Sequence, residues 1–212
     1  MHIPDGFLTA NVYLPAWLVS AAFVWWFLKR LTKTLRERAV PLMGVLAAFI
    51  FAAQMLTFPV AAGTSGHLLG GALAAILLGP YAGSIIITLV LVVQALVFLD
   101  GGISTLGANI LNMALLGTFI TYFIYVGLRK MMGKNRVIPA AVISAWLSVV
   151  LASSLCGVEL ALSGVSPLRV VLPAMAGVHS LIGIGEAVIT ASVLKFLLKV
   201  KPELVYGKTQ NE

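Results

Sequence analysis

Of the 212 residues, 60% are hydrophobic and 10% charged, more apolar surface than a water-soluble domain of this length can bury in one core, so the chain reads as an integral membrane protein. The net charge of +7 lies in short basic runs between apolar stretches, without a basic groove to track a phosphate backbone, and so excludes a nucleic-acid partner. The single cysteine, Cys156, excludes an internal disulfide and reads as an inert packing residue.

The first eight residues, MHIPDGFL, place a histidine directly behind the first methionine and follow it with a Pro4-Asp5-Gly6 turn that can fold the terminus back onto the protein. They lack the basic start and small-residue cleavage site of a signal peptide. Apolar segments then run roughly over 12–28, 40–58, 68–79, 82–99, 106–128, 137–162 and 170–198, most of them near the ~20 residues a membrane-crossing helix needs. The chain is expected to be an all-α polytopic membrane protein of about seven transmembrane helices, forming one transmembrane domain over 1–212. The connector KRLTKTLRER (29–38) holds five basic residues against one acidic, and RKMMGKNR (129–136) holds four and none; such connectors face the cytoplasm. That puts the N-terminal segment 1–11 and the loops 59–67, 99–105 and 163–169 outside and the C-terminus inside, with 59–67 and 99–113 expected to line an outward-facing site.

The second segment carries Gly44, Ala48 and Ala52 at every fourth residue, a small-residue stripe suited to close helix approach, either inside the bundle or against a docked partner. The third segment, between His67 and Pro80, is too short to reach both faces. Either PVAAGTSG (59–66) dips in from outside to meet it, or the segment is re-entrant; interrupted segments are where membrane transporters place ligand sites. Both readings sink His67 below the outer surface, with Thr64 or Ser65 as candidate helix caps and the positive helix end keeping the imidazole neutral.

A Met-His start offers one cation three nitrogens: the Met1 amine, the deprotonated His2 amide and the His2 ring Nδ1, in fused chelate rings lying close to one plane. A second imidazole completes a square-planar N4 set, which suits Ni(II) or Cu(II) rather than Mg, Ca or tetrahedral Zn. His67, on the same expected side of the membrane, is the candidate donor. Polar residues at membrane depth are costly unless paired or functional, which marks Asp100, Ser104, Asn109 and Asn112 as support for the site, with Asp5 in the terminal turn. All the nitrogen ligands compete with protons, so binding is expected to fall away below roughly pH 6, near the free imidazole value.

MHIPDGFL, SGHLLGG around His67, DGG with LGANILNMA in the middle and HSLIGIGEAVIT near the end together resemble the CbiM/NikM family, the substrate-binding subunits of energy-coupling-factor nickel and cobalt transporters. The resemblance implies capture of Ni2+ or Co2+ as transported substrate, with no organic cofactor, through Met1, His2 and His67. It further implies a transmembrane coupling protein, two cytoplasmic ATPases and a small accessory membrane subunit as partners.

His179 and Glu186 fall on one helical face and are expected to join in a buried hydrogen-bonded network, with Glu159 a structural partner for a hydroxyl or backbone group. GKT at 207–209 lacks the glycine and preceding strand of a phosphate-binding loop, so the chain is not expected to bind ATP. A self-sufficient secondary carrier is disfavoured for want of internal repeats and of acids along a path. An intramembrane metalloenzyme is disfavoured for want of an H-E-x-x-H pattern or an activated nucleophile.

Overall fold

A computed structural model describes residues 1–34, 39–60, 64–133 and 135–206. Residues 35–38 and Lys134 of the basic connectors, the 61–63 part of the PVAAGTSG loop, the side chain of Thr64 and the GKT at 207–209 lie outside the described residues. Helices dominate: α1 (Ala10–Thr34), α2 (Ala39–Gln54), α3 (Gly71–Leu78), α4 (Pro80–Val97), α5 (Leu106–Ile110) running through a π-helical stretch (Leu111–Ile120) into α6 (Thr121–Met132), α7 (Val137–Leu162) and α8 (Leu168–Val200). Among the described residues five spans are long and apolar enough to cross a membrane: Ala10–Lys33, Pro80–Val97, Leu106–Met132, Val137–Leu162 and Leu168–Val200; α2 is apolar but shorter. The chain is an all-helical, multi-pass membrane protein.

The third apolar segment is the anomaly its length announced. All eight residues of α3 are buried, and the helix is stopped at Gly79 and restarted as α4 by Pro80 at its first position, where the missing N–H costs no hydrogen bond. The residues before α3 turn inward as a small antiparallel pair, β1 (Phe58–Val60) and β2 (Thr64–Gly66), with Phe58 opposite Gly66. The described part of this region carries strand pairing that the sequence did not announce. The irregular backbone that follows, 67–70, is tolerated because protein surrounds it, with His67 and Leu69 fully buried.

Two sequence expectations change here, and a third point had been open between two readings. Ser65 does not cap α3: the helix begins at Gly71 behind Gly70, which makes no side-chain cap bond, so Ser65 lies in β2 and four residues of irregular chain separate it from the helix. The stretch 99–113 is loop only to Thr105, since Leu106 begins α5. Gly44, Ala48 and Ala52 are all exposed, whereas Leu46, Ile50 and Gln54 form the buried face of α2. The small-residue stripe therefore does not pack inside this bundle.

Candidate metal centre

The N-terminal tripeptide is a packed element of the interior, with Met1, His2 and Ile3 at 0, 3 and 0% exposure. Ile3 anchors it. Its N–H donates to Asn109 Oδ1 at 2.9 Å, and its carbonyl accepts from Gly102 N at 2.9 Å, from Asn109 Nδ2 at 3.2 Å and from Thr105 Oγ1. The turn that follows is tied down by Asp5, whose carboxylate accepts from the Ile103 and Ser104 amides at 3.1 and 2.7 Å and from the Ser104 hydroxyl. These bonds hold the Asp5 carboxyl below its ordinary range, the Ser104 hydroxyl contributing most. Gly101 takes φ +96 and passes so close to the terminus that an added Cβ would sit 3.5 Å from His2 Cβ and 3.1 Å from Asn109 Nδ2.

The tripeptide is delivered to His67. The two imidazole rings lie 4.4 Å apart between centroids and 20° from parallel, although 65 positions separate them in sequence. The Met1 amine donates to the Ser65 carbonyl in β2, joining the terminus to the strand that precedes His67, and the Met1 carbonyl lies 3.9 Å from Cys156 Sγ on α7. Gly66 passes close to α8: a Cβ there would come within 2.6 Å of Ile182 Cδ1, which would have to move, and 3.4 Å of His179 Nε2.

Burial makes these groups neutral nitrogen donors. The Met1 amine is pulled down from 8.0 to about 6, chiefly by desolvation and partly restored by Cys156 and Asp100. His2 is driven to about 3 by burial and then by the neighbouring amine charge, and His67 is held well below the ordinary imidazole range for the same first reason. His67 Nδ1–H donates to the Leu68 carbonyl at 2.7 Å, which leaves its Nε2 as a bare lone pair, buried and without a protein partner. His2 Nε2 is likewise buried and unpartnered. It faces Asp100 Oδ2 at 3.8 Å, too far for a hydrogen bond, and with His2 neutral at pH 7 the contact is not an ion pair. Burial also raises the Asp100 carboxyl.

Asp5, Ser65, Asp100, Ser104 and Asn109 thus lie around the terminal segment. Asn112 departs: its Nδ2 donates to Glu159 at 2.6 Å, so the partner of Glu159 is a side-chain amide and not the hydroxyl or backbone group expected. His179 and Glu186 do not form their expected network. His179 Nδ1–H donates to the Met175 carbonyl at 2.8 Å, while Glu186 accepts from the amides of Leu69 and Gly70. Two contributors escaped the sequence reading, Thr105 at the Ile3 carbonyl and Gln54, whose Nε2 donates to the Leu69 carbonyl at 2.8 Å. A glutamine alone at the end of an otherwise apolar helix was the available signal for the second.

A helical membrane bundle with a buried terminal amine and two apposed neutral imidazoles defines a class of membrane protein that receives a small cationic guest. The family model described as the cobalt uptake substrate-specific transmembrane region, CbiM, matches residues 2–204, and the chain belongs to that family. A protein of Archaeoglobus fulgidus, provisionally named a fused nickel transport protein NikMN, is 41% identical over 98% of this chain and 69% of its own length. A cobalt transport protein CbiM of a Nostoc species is 33% identical over 100% of this chain and 86% of its own. The crystal structure of a truncated transition metal transporter superposes with a TM-score of 0.88 at 34% identity, covering 94% of this chain and 99% of that one.

Proposed function

We propose that the chain is the metal-capturing subunit of an ATP-driven energy-coupling-factor importer and holds Ni2+, or Co2+, in a planar N4 set. The ligands are the Met1 amine, the His2 amide, His2 Nδ1 and His67 Nε2. The observation that carries this reading is the apposition of the two rings. Imidazoles at adjacent corners of a square, with metal–nitrogen bonds of about 2 Å, keep their centroids roughly 4–5 Å apart; the observed 4.4 Å falls in that range, and one ring must turn out of the 20° stack for both in-plane lone pairs to meet one ion. The outer contacts agree: with Nδ1 of His2 on the metal its Nε2–H faces Asp100, and His67 gives its own Nδ1–H to a carbonyl, as metal-bound histidines do. Among the described residues no three His, Cys, Asp or Glu side chains group as a metal site, so a full set draws on the terminal main chain.

The chain starts outside and ends in the cytoplasm, and the segments 1–11, 58–60, 64–67 and 99–105 lie at the outer mouth of a single transmembrane domain. Energy comes from partners: a transmembrane coupling protein, two cytoplasmic ATPases and a small accessory membrane subunit. The outward stripe of Gly44, Ala48 and Ala52 is the face offered to the coupling protein, since small side chains allow close helix approach. Ni2+ is favoured over Co2+ because a planar field with a deprotonated amide suits it better.

Absorption spectroscopy of the purified, metal-loaded chain tests the site. A yellow low-spin band is expected, and a spectrum of octahedral type would sink the planar model. The pH dependence is a second test, and its origin moves from the imidazoles to the amine. Binding displaces a proton from the His2 amide throughout the working range and, below about pH 6, a second from the Met1 amine. Kd is expected to rise about tenfold per pH unit lost above pH 6 and about a hundredfold per unit below it. The His2 ring adds nothing until about pH 3. Isothermal titrations across this break measure both slopes; a Kd that ignores pH would instead favour carboxylate ligands, Asp5 and Asp100 first.

A further inference from the structure

The chain from His67 to Gly70 has no regular structure and lies inside the bundle, so each of its peptide groups depends on a partner from elsewhere. One peptide is decisive. The Leu68 carbonyl accepts from His67 Nδ1 at 2.7 Å, and the amide of the same peptide, Leu69 N–H, donates to Glu186 Oε2 at 2.9 Å. The other carboxylate oxygen of Glu186 takes the Gly70 amide at 2.6 Å. From the opposite side Gln54 of α2 donates to the Leu69 carbonyl at 2.8 Å. A continuous line of hydrogen bonds therefore runs from the Glu186 carboxylate through the Leu68–Leu69 peptide to the His67 ring, whose far nitrogen is the bare one. Such a series polarises along its length and fixes both the tautomer and the orientation of the last group. A small apolar cleft lined by Ile50, Leu68, Gly70, Glu186 and Thr190 adjoins the clamp.

We propose that Glu186 on α8 is the positioning residue of the His67 ligand, acting through the Leu68–Leu69 peptide. This rests on the reading of His67 as a metal ligand. The line also makes the site answerable to helix position, because a displacement of α8 away from α2 draws on the peptide that aims the imidazole.

The experiment uses the full chain in detergent with Ni2+ as the probe and compares E186Q, E186D and H67A with the parent. Glutamine offers one acceptor and sets an NH2 against the second amide, while aspartate keeps the charge but falls a methylene short. E186Q is expected to raise Kd about 10–100-fold, the usual cost of losing an outer-sphere partner. It should also shift the visible band at saturating Ni2+ and speed hydrogen exchange at the Leu69 and Gly70 amides. A merely structural loss lowers melting temperature and leaves the saturated spectrum as in the parent, which would overturn the proposal, as would a parental Kd. If E186Q does not fold, E186D gives the same readings. H67A separates the two levels. If H67A binds Ni2+ like the parent, the ligand reading falls and the positioning role with it; if H67A loses binding while the Glu186 variants keep the parental Kd and spectrum, the positioning role alone falls.

Discussion

Acetylating or formylating the Met1 amine is expected to abolish Ni2+ binding while leaving the helical bundle intact. The amine is fully buried beside Ser65, so a cap removes its lone pair and displaces the terminal tripeptide, while the packing between the helices still holds the fold. Extending the chain by two or more residues ahead of Met1 is expected to do the same, because it carries the free amine away from His2. An extension of one residue differs in kind. It makes the histidine third, where one amine, two amides and one ring nitrogen form a complete planar set within the terminus itself. Binding then becomes independent of His67 but no longer supports transport, since the metal sits in an extruded terminus. Calorimetry on the capped, one-residue and two-residue forms, each with and without His67, tests this. Ni2+ held by the two-residue form as tightly as by the parent would reduce MHIPDGFL to a turn.

The second large effect belongs to His67. His67→Ala is expected to cost more than the roughly 10–100-fold that outer-sphere losses bring, because it removes a ligand and opens a buried site. His179→Ala is expected to leave Kd near the parental value, although it too vacates buried space. His179 Nε2 is unpartnered and abuts Gly66, but its ring is held by Met175 on its own helix and it is not stacked with His2 as His67 is. The pair of variants is therefore diagnostic: binding lost in His179→Ala and kept in His67→Ala would move the site onto α8.

Some of this was local enough to be read directly. Apolar runs of helical length, the basic connectors and the shortness of the segment after His67 are one-dimensional properties, so the membrane class and the anomalous third helix followed from hydropathy alone. The chelating potential of Met1 and His2 was also legible, because fused chelate rings form between adjacent residues whatever the fold.

Partnership across the fold was not legible. Glu186 and His179 share a helical face, and periodicity joined them. In the folded chain each has a nearer main-chain partner, because the irregular backbone of 67–70 brings two unpaired amides to Glu186 and an unpaired buried donor is costly to leave. Asn112 was grouped with the outer polar residues by proximity in sequence, yet its carboxylate partner on α7 takes it away from the terminus. The stripe of Gly44, Ala48 and Ala52 had two readings that hydropathy could not separate; only the packing of α2, with Leu46, Ile50 and Gln54 inward, turned it outward. By itself the sequence determined which groups can bind a metal and that a membrane surrounds them. Tertiary structure alone decided that His2 and His67 meet, because a ring contact across 65 residues depends on the hydrogen bonds of Asn109, Thr105, Gln54 and Glu186 that hold both segments in place.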